Sequence, residues 1–111
     1  MTPAELRTAL KTLGMPVAYE AFISTPENPP PPPPFICYKE NFKDAIMADN
    51  HNYCAIRNFD IELYTNKKDL VKEALVEALL KTNRLPNEGW GAFIETENMY
   101  QMVYKIQLIG G

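Results

Sequence analysis

The sequence predicts an α+β fold: a single, mostly antiparallel or mixed sheet of four to five strands with two helices packed on one face, in the order α-β-β-β-α-β-β. Three observations predict it. Two segments carry apolar residues at three- and four-residue spacing behind helix-capping signals, five others are short and rich in strand formers, and turn-forming or proline-rich stretches separate them. The 111 residues make one domain, 1–111, with an exposed proline-rich loop at 26–34. A chain of this size buries about two-thirds of its unfolded surface, enough for one core.

The first helix is written into its start, with Thr2 as N-cap, Pro3 at the first helical position and Glu5 three residues after the cap. Leu6, Ala9, Leu10 and Leu13 follow at helical spacing, and Gly14 is placed to end the helix. Residues 17–23 read as a first strand with apolar groups on both faces. Pro26 and the run Pro29 to Pro34 have no backbone donors, so this stretch is expected as an exposed polyproline II arm. It serves as an expanded loop between two strands, or as a stiff spacer or groove ligand; the flanking Glu27 and Phe35 do not supply the basic residues that groove ligands use. Phe35 to Lys39 is a short second strand, and the polar residues 40–52 suit a loop. Tyr53 to Thr65 is the longest strand, with Phe59, Ile61 and Leu63 on one face and Asn58, Asp60, Glu62 and Tyr64 on the other.

Asn66 is the expected cap of a second helix running to about Asn83, with Asp69 in its first turn. Leu70, Ala74, Leu75, Ala78 and Leu79 form its apolar stripe, and Lys72, Glu73, Glu77 and Lys81 its solvent side. Leu85 to Gly89 breaks the chain, and 92–96 and 100–109 form a hairpin about Glu97 and Asn98. Phe93, Tyr100, Met102, Tyr104 and Ile106 alternate there with Ile94, Val103 and Ile109. Two helices shield only one face of a sheet, so Ile94 and Val103 mark a second face through which, or through an edge strand beside it, a partner subunit is expected to bind. A third layer made by the proline loop is the competing cover.

Composition excludes several functions. Eleven Lys and Arg against 14 Asp and Glu give a net charge of −3 and no basic stripe, so no nucleic-acid contact is expected. No apolar run approaches the ~18 residues of a membrane helix, no polybasic patch appears, and no membrane contact is expected. The start of the chain lacks a cationic stretch leading into an apolar run, so a protein made and kept in a cytoplasm is expected. Cys37 and Cys54 read as reduced core fillers, and the single His51 has no second imidazole or cysteine at ligand spacing, so no metal or other cofactor is expected. A strand-buried cysteine near His51 would be inert as a nucleophile. Glu95 and Glu97 alternate as a glycosidase pair might, but as ordinary surface-strand carboxylates they have no partner acid. With no phosphate loop or nucleophile elbow either, no enzyme and no catalytic residue are expected.

The stretch Asn58-Phe-Asp-Ile-Glu-Leu-Tyr-Thr-Asn-Lys-Lys-Asp69, a leucine-rich helix after it, and the closing Ile94-Glu-Thr-Glu-Asn-Met-Tyr-Gln-Met-Val-Tyr104 resemble a family of small proteins from tailed phages and prophages of Gram-positive bacteria. Gly14-Met-Pro-Val-Ala-Tyr-Glu-Ala-Phe22 and Ala48-Asp-Asn before Tyr53 fit the same pattern, whereas the six-proline run is longer than the family's loop. Such proteins are similar to tail terminator or tail completion proteins. The resemblance implies a small α/β subunit that assembles with itself as a hexameric ring on the head-proximal end of the tail, with the major tail tube protein and the head connector proteins as partners. It also implies residence in the virion, and in the host cytoplasm during assembly. The connector-side head-tail adaptor and the small host-directed inhibitory binding protein are the other readings. Candidate interface residues are Ile94 and Val103 on the second face, the Glu95 and Glu97 face, Lys67 and Lys68 as groups that could meet it, and the loop from Pro29 to Pro34.

Overall fold

The computed structural model describes residues 1–22, 25–27, 29–48 and 52–109, with side chains left out of the description at 42–48, 52–55 and 109. Helix α1 (Pro3–Lys11) begins with the expected capping box: Thr2 Oγ1 accepts from the Glu5 amide at 3.2 Å, and the Thr2 amide donates to Glu5 Oε1 at 2.9 Å. The hydrogen bond from the Thr2 amide, and after it one from the Thr2 side chain, hold the Glu5 carboxyl below its usual value. The helix closes at Lys11 on the Thr12 cap, before Gly14, whose φ of +83° then turns the chain.

Strand β1 is only Val17–Tyr19, shorter than the expected 17–23, because Glu20 adopts φ +65° and leaves the extended region; Ile23 lies outside the described residues. It pairs in parallel with β2 (Phe35–Ala48), so the chain between them is a crossover and not a hairpin loop. The proline run makes that crossover. Pro29, Pro30 and Pro32 are exposed, but Pro31, Pro33 and Pro34 are half-buried, so the arm is not free in solvent as expected.

Strand β2 continues far beyond Lys39 and pairs antiparallel with β3 (Asn52–Thr65) through Ala48↔Asn52, with a register shift between Glu40 and Phe42. The expected loop over 40–52 is therefore strand at 40–48 and 52, and Asp49, Asn50 and His51 lie outside the described residues. Residues 45–48 and 52–55 pair only with each other and form a two-stranded arm beyond the rest of the sheet. The molecule is accordingly elongated, 51 × 31 × 25 Å.

Helix α2 (Leu70–Thr82) is capped by Asp69, whose Oδ1 accepts from the Val71 and Lys72 amides at 3.1 Å. Asn66 is not the cap, and Lys67 and Lys68 precede the helix. Strands β4 (Glu88–Ile94) and β5 (Met99–Ile109) follow, joined through a turn over 95–98 in which Asn98 takes φ +51° as expected of an Asn at that point. The mixed sheet has the order β1-β2-β3-β5-β4.

Both helices cover one face. Leu6 and Leu10 of α1 and Val76, Leu79 and Leu80 of α2 meet Ile36, Phe59, Ile61, Leu63, Tyr104, Ile106 and Leu108 in one core. Register explains the set, since Phe59↔Ile106 and Ile61↔Tyr104 are cross-strand neighbours on the same side. Toward β4 the covering is done by side chains: a Cβ on Gly91 would lie 2.7 Å from Cε1 of Tyr100, and one on Gly89 3.1 Å from the Tyr104 ring. The glycines admit the two tyrosine rings over this edge strand.

Candidate functional site

The other face of the sheet has no helix on it. Alternation places three rows of side chains there: Phe35, Tyr64, Gln101 and Ala92; Cys37, Glu62, Val103 and Trp90; and Lys39, Asp60, Lys105 and Glu88, each running across β2, β3, β5 and β4. The last row alternates in charge, the favourable arrangement for directly opposed residues. The open face is thus largely polar, which corrects the expectation of an apolar face awaiting a subunit.

Four of its groups are bonded to one another. Tyr64 Oη donates to Glu62 Oε1 at 3.1 Å and accepts from Gln101 Nε2 at 2.9 Å, and Lys39 Nζ lies 3.7 Å from Glu62 Oε2. Burial, then the Glu62 charge, pushes the Cys37 thiol up to about 11, so it stays protonated and unreactive as a core residue; the same two causes raise Tyr64. The Cys54 side chain lies outside the described residues. Phe22, from the crossover, packs edge-on against Phe35 with centroids 5.4 Å apart, and Phe35 stacks on Tyr64 at 4.9 Å. The proline-containing connection therefore does cover one corner of this face. At the opposite corner an open cleft of about 490 Å³ is lined by Asn41, Asn58, Asp60, Asn87, Glu88, Lys105 and Gln107 among others.

The predicted interface residues separate on this scaffold. Val103 is buried within the chain at 6% exposure and has almost no surface to offer, while Ile94 is half-buried at the end of β4. Glu95 and Glu97 are exposed in the turn and not on a strand face, so they form no paired-carboxylate row. Lys68 is committed internally: Nζ donates to both Glu73 oxygens at 3.0 and 3.1 Å and sits 5.1 Å from the Tyr100 ring centroid. The hydrogen bond to Glu73 raises its pKa. Lys67 is exposed, as is Pro29, and Pro34 is half-buried.

Two surfaces carry most of the exposed apolar groups: the outward face of α2, which sequence reasoning did not single out, and the β4 edge strand that carries Ile94. Helix α2 buries Glu73, Val76, Leu79 and Leu80 and leaves Leu70, Val71 and Leu75 at 70%, 71% and 38% exposure. The expected stripe of Leu70, Ala74, Leu75, Ala78 and Leu79 is turned outward except for Leu79, because Glu73 is held inside by Lys68, and Glu77 accepts a 2.9 Å hydrogen bond from Tyr104 Oη. Along β4 every residue to Phe93 is exposed, Trp90 and Phe93 by nearly half. This edge has seven residues, no proline or lysine, and one charge, Glu88. Natural edges are usually blunted by such residues or by shortness. The opposite edge, β1, is blunted: three residues directly after Pro16.

Among the described residues no group of three or more His, Cys, Asp and Glu side chains could hold a metal ion, and no helix is long and apolar enough to cross a membrane. No protein-family model matches the chain, and no match is found among curated proteins.

Proposed function

We propose that the chain is a structural virion protein of a tailed phage or prophage, acting at the head-proximal end of the tail as a tail terminator or tail completion subunit. It works by assembling with copies of itself into a ring, hexameric as in the family it resembles, between the tail tube protein and the head connector proteins. It needs no cofactor and performs no catalysis. One observation carries this reading: the exposed apolar groups lie on two different surfaces, the Leu70, Val71 and Leu75 face of α2 and the unblunted β4 edge with Trp90 and Phe93. A closed ring requires heterologous contacts, in which one patch meets a different patch of the next copy. A monomer gains nothing from either. The ring contact is therefore assigned to these surfaces, in place of the Ile94 and Val103 face.

Electron microscopy of the purified protein, alone and mixed with a tail tube protein, tests the reading. Rings, free or seated on one end of the tubes, are expected. Tubes of unrestricted length with no added density at either end contradict it.

A further inference from the structure

The cleft on the open face holds a buried carboxylate oxygen with no partner. Asp60 is 8% exposed, and its Oδ1 has no hydrogen bond. Native proteins satisfy nearly all such atoms, because burying a charged group unpaired is costly. Two lysines flank Asp60 in the register, Lys39 on β2 and Lys105 on β5, and neither ammonium serves it. Lys39 Nζ is directed to Glu62 at 3.7 Å, and Lys105 Nζ lies 5.6 Å from the Trp90 ring centroid. The cleft that Asp60 lines adds a second carboxylate, Glu88, and the amides of Asn41, Asn58, Asn87 and Gln107. Against Asp60 and Glu88 stands one cation among the described lining residues, Lys105, so that lining carries an excess of negative charge. Its volume, about 490 Å³, lies in the range of small-ligand sites.

We propose that this cleft binds a cationic nitrogen donor, an alkylammonium or guanidinium group, which pairs with Asp60 and is flanked by Glu88 and the amide oxygens. Charge-assisted hydrogen bonds of this kind are the strong ones, and a donor seated there supplies what Asp60 lacks. The donor belongs either to a free polyamine or to an arginine side chain of another polypeptide; the chemistry at Asp60 is the same. The proposal does not depend on ring assembly.

Trp90 is the sole tryptophan and stands under Lys105, so its fluorescence reports a cation arriving at Asp60 and repelling the Lys105 ammonium. The full chain is titrated with spermidine and, separately, with N-acetyl-arginine amide at constant ionic strength. A saturable emission change with at least one probe is expected; spermidine alone identifies the free polyamine, and the arginine amide identifies a polypeptide side chain. Asp60→Asn, which keeps the shape, should weaken binding by about tenfold or more. Glu88→Gln, at the exposed start of β4, should weaken it less, and Lys105→Gln should tighten it by removing the competing cation. No saturable response to either probe overturns the proposal, as does equal affinity in both Asp60→Asn and Glu88→Gln.

Discussion

Helix α1 buries Leu6 and Leu10 completely and keeps Glu5, Arg7 and Lys11 in solvent, whereas α2 buries Glu73 beside Val76 and Leu80 and keeps Leu70 and Val71 in solvent. Both cover the same face of the same sheet. Helix α1 follows the rule that an apolar stripe faces the core. In α2 the inward charge is matched by Lys68, and the outward residues Leu70 and Val71 stay about 70% exposed among the described residues. The difference teaches that α1 answers to the core alone, whereas α2 keeps an apolar face exposed, the surface that the proposed ring contact would cover.

Truncating α1 should give the largest effect. Leu10→Ala removes a fully buried side chain and should cost about 2 to 5 kcal/mol, read as a lower urea midpoint with the slope unchanged. A cost near zero would erase the contrast between the helices.

Alkaline pH probes the attachment of α2. Burial, then the hydrogen bond to Glu77, raises the Tyr104 phenol above its ordinary value. The folded chain therefore keeps this proton where the unfolded chain has lost it, so the stabilisation is complete below about pH 10 and is lost as pH rises further. Denaturant midpoints above pH 10 should fall, and Tyr104→Phe should flatten that fall.

Removing the α2 cap gives a smaller change. Asp69→Ala leaves the Val71 and Lys72 amides without their acceptor and should cost about 1 kcal/mol, whereas Asn66→Ala, at the residue that sequence spacing favours as the cap, should cost almost nothing in thermal melts. Equal costs would return the cap to Asn66.

These contrasts also show where sequence reasoning reached. The start of α1 is legible because Thr2, Pro3 and Glu5 act on one another within four residues, and the core side of β3 because Phe59, Ile61 and Leu63 alternate strictly. The strand over 40–48 is not legible: its residues mix polar and apolar types without strict alternation, and they become strand by pairing with 52–59, a non-local gain that local propensity does not contain. The orientation of α2 is hidden for a similar reason. A helical wheel favours burying Leu70, Leu75 and Leu79, and only the tertiary partners Lys68 and Tyr104 bring Glu73 inward and hold Glu77. The cleft draws on positions 41, 58–60, 86–88 and 105–107, far apart in the chain, so no motif announces it. Trp90 was visible as a lone tryptophan between two glycines; that pattern on an edge strand was the available signal.

The smallest expected effect on stability belongs to the outward face of α2. Leu70→Lys with Val71→Lys alters side chains already about 70% exposed, so the melting temperature of the monomer should move little, as surface substitutions usually do. Sedimentation velocity of the wild type and this double variant, over a range of concentrations and with tail tube protein present, tests the central claim most directly. The account predicts ring-sized species in the wild type that the variant fails to form while its melting temperature is retained; identical assembly by the two proteins would contradict it.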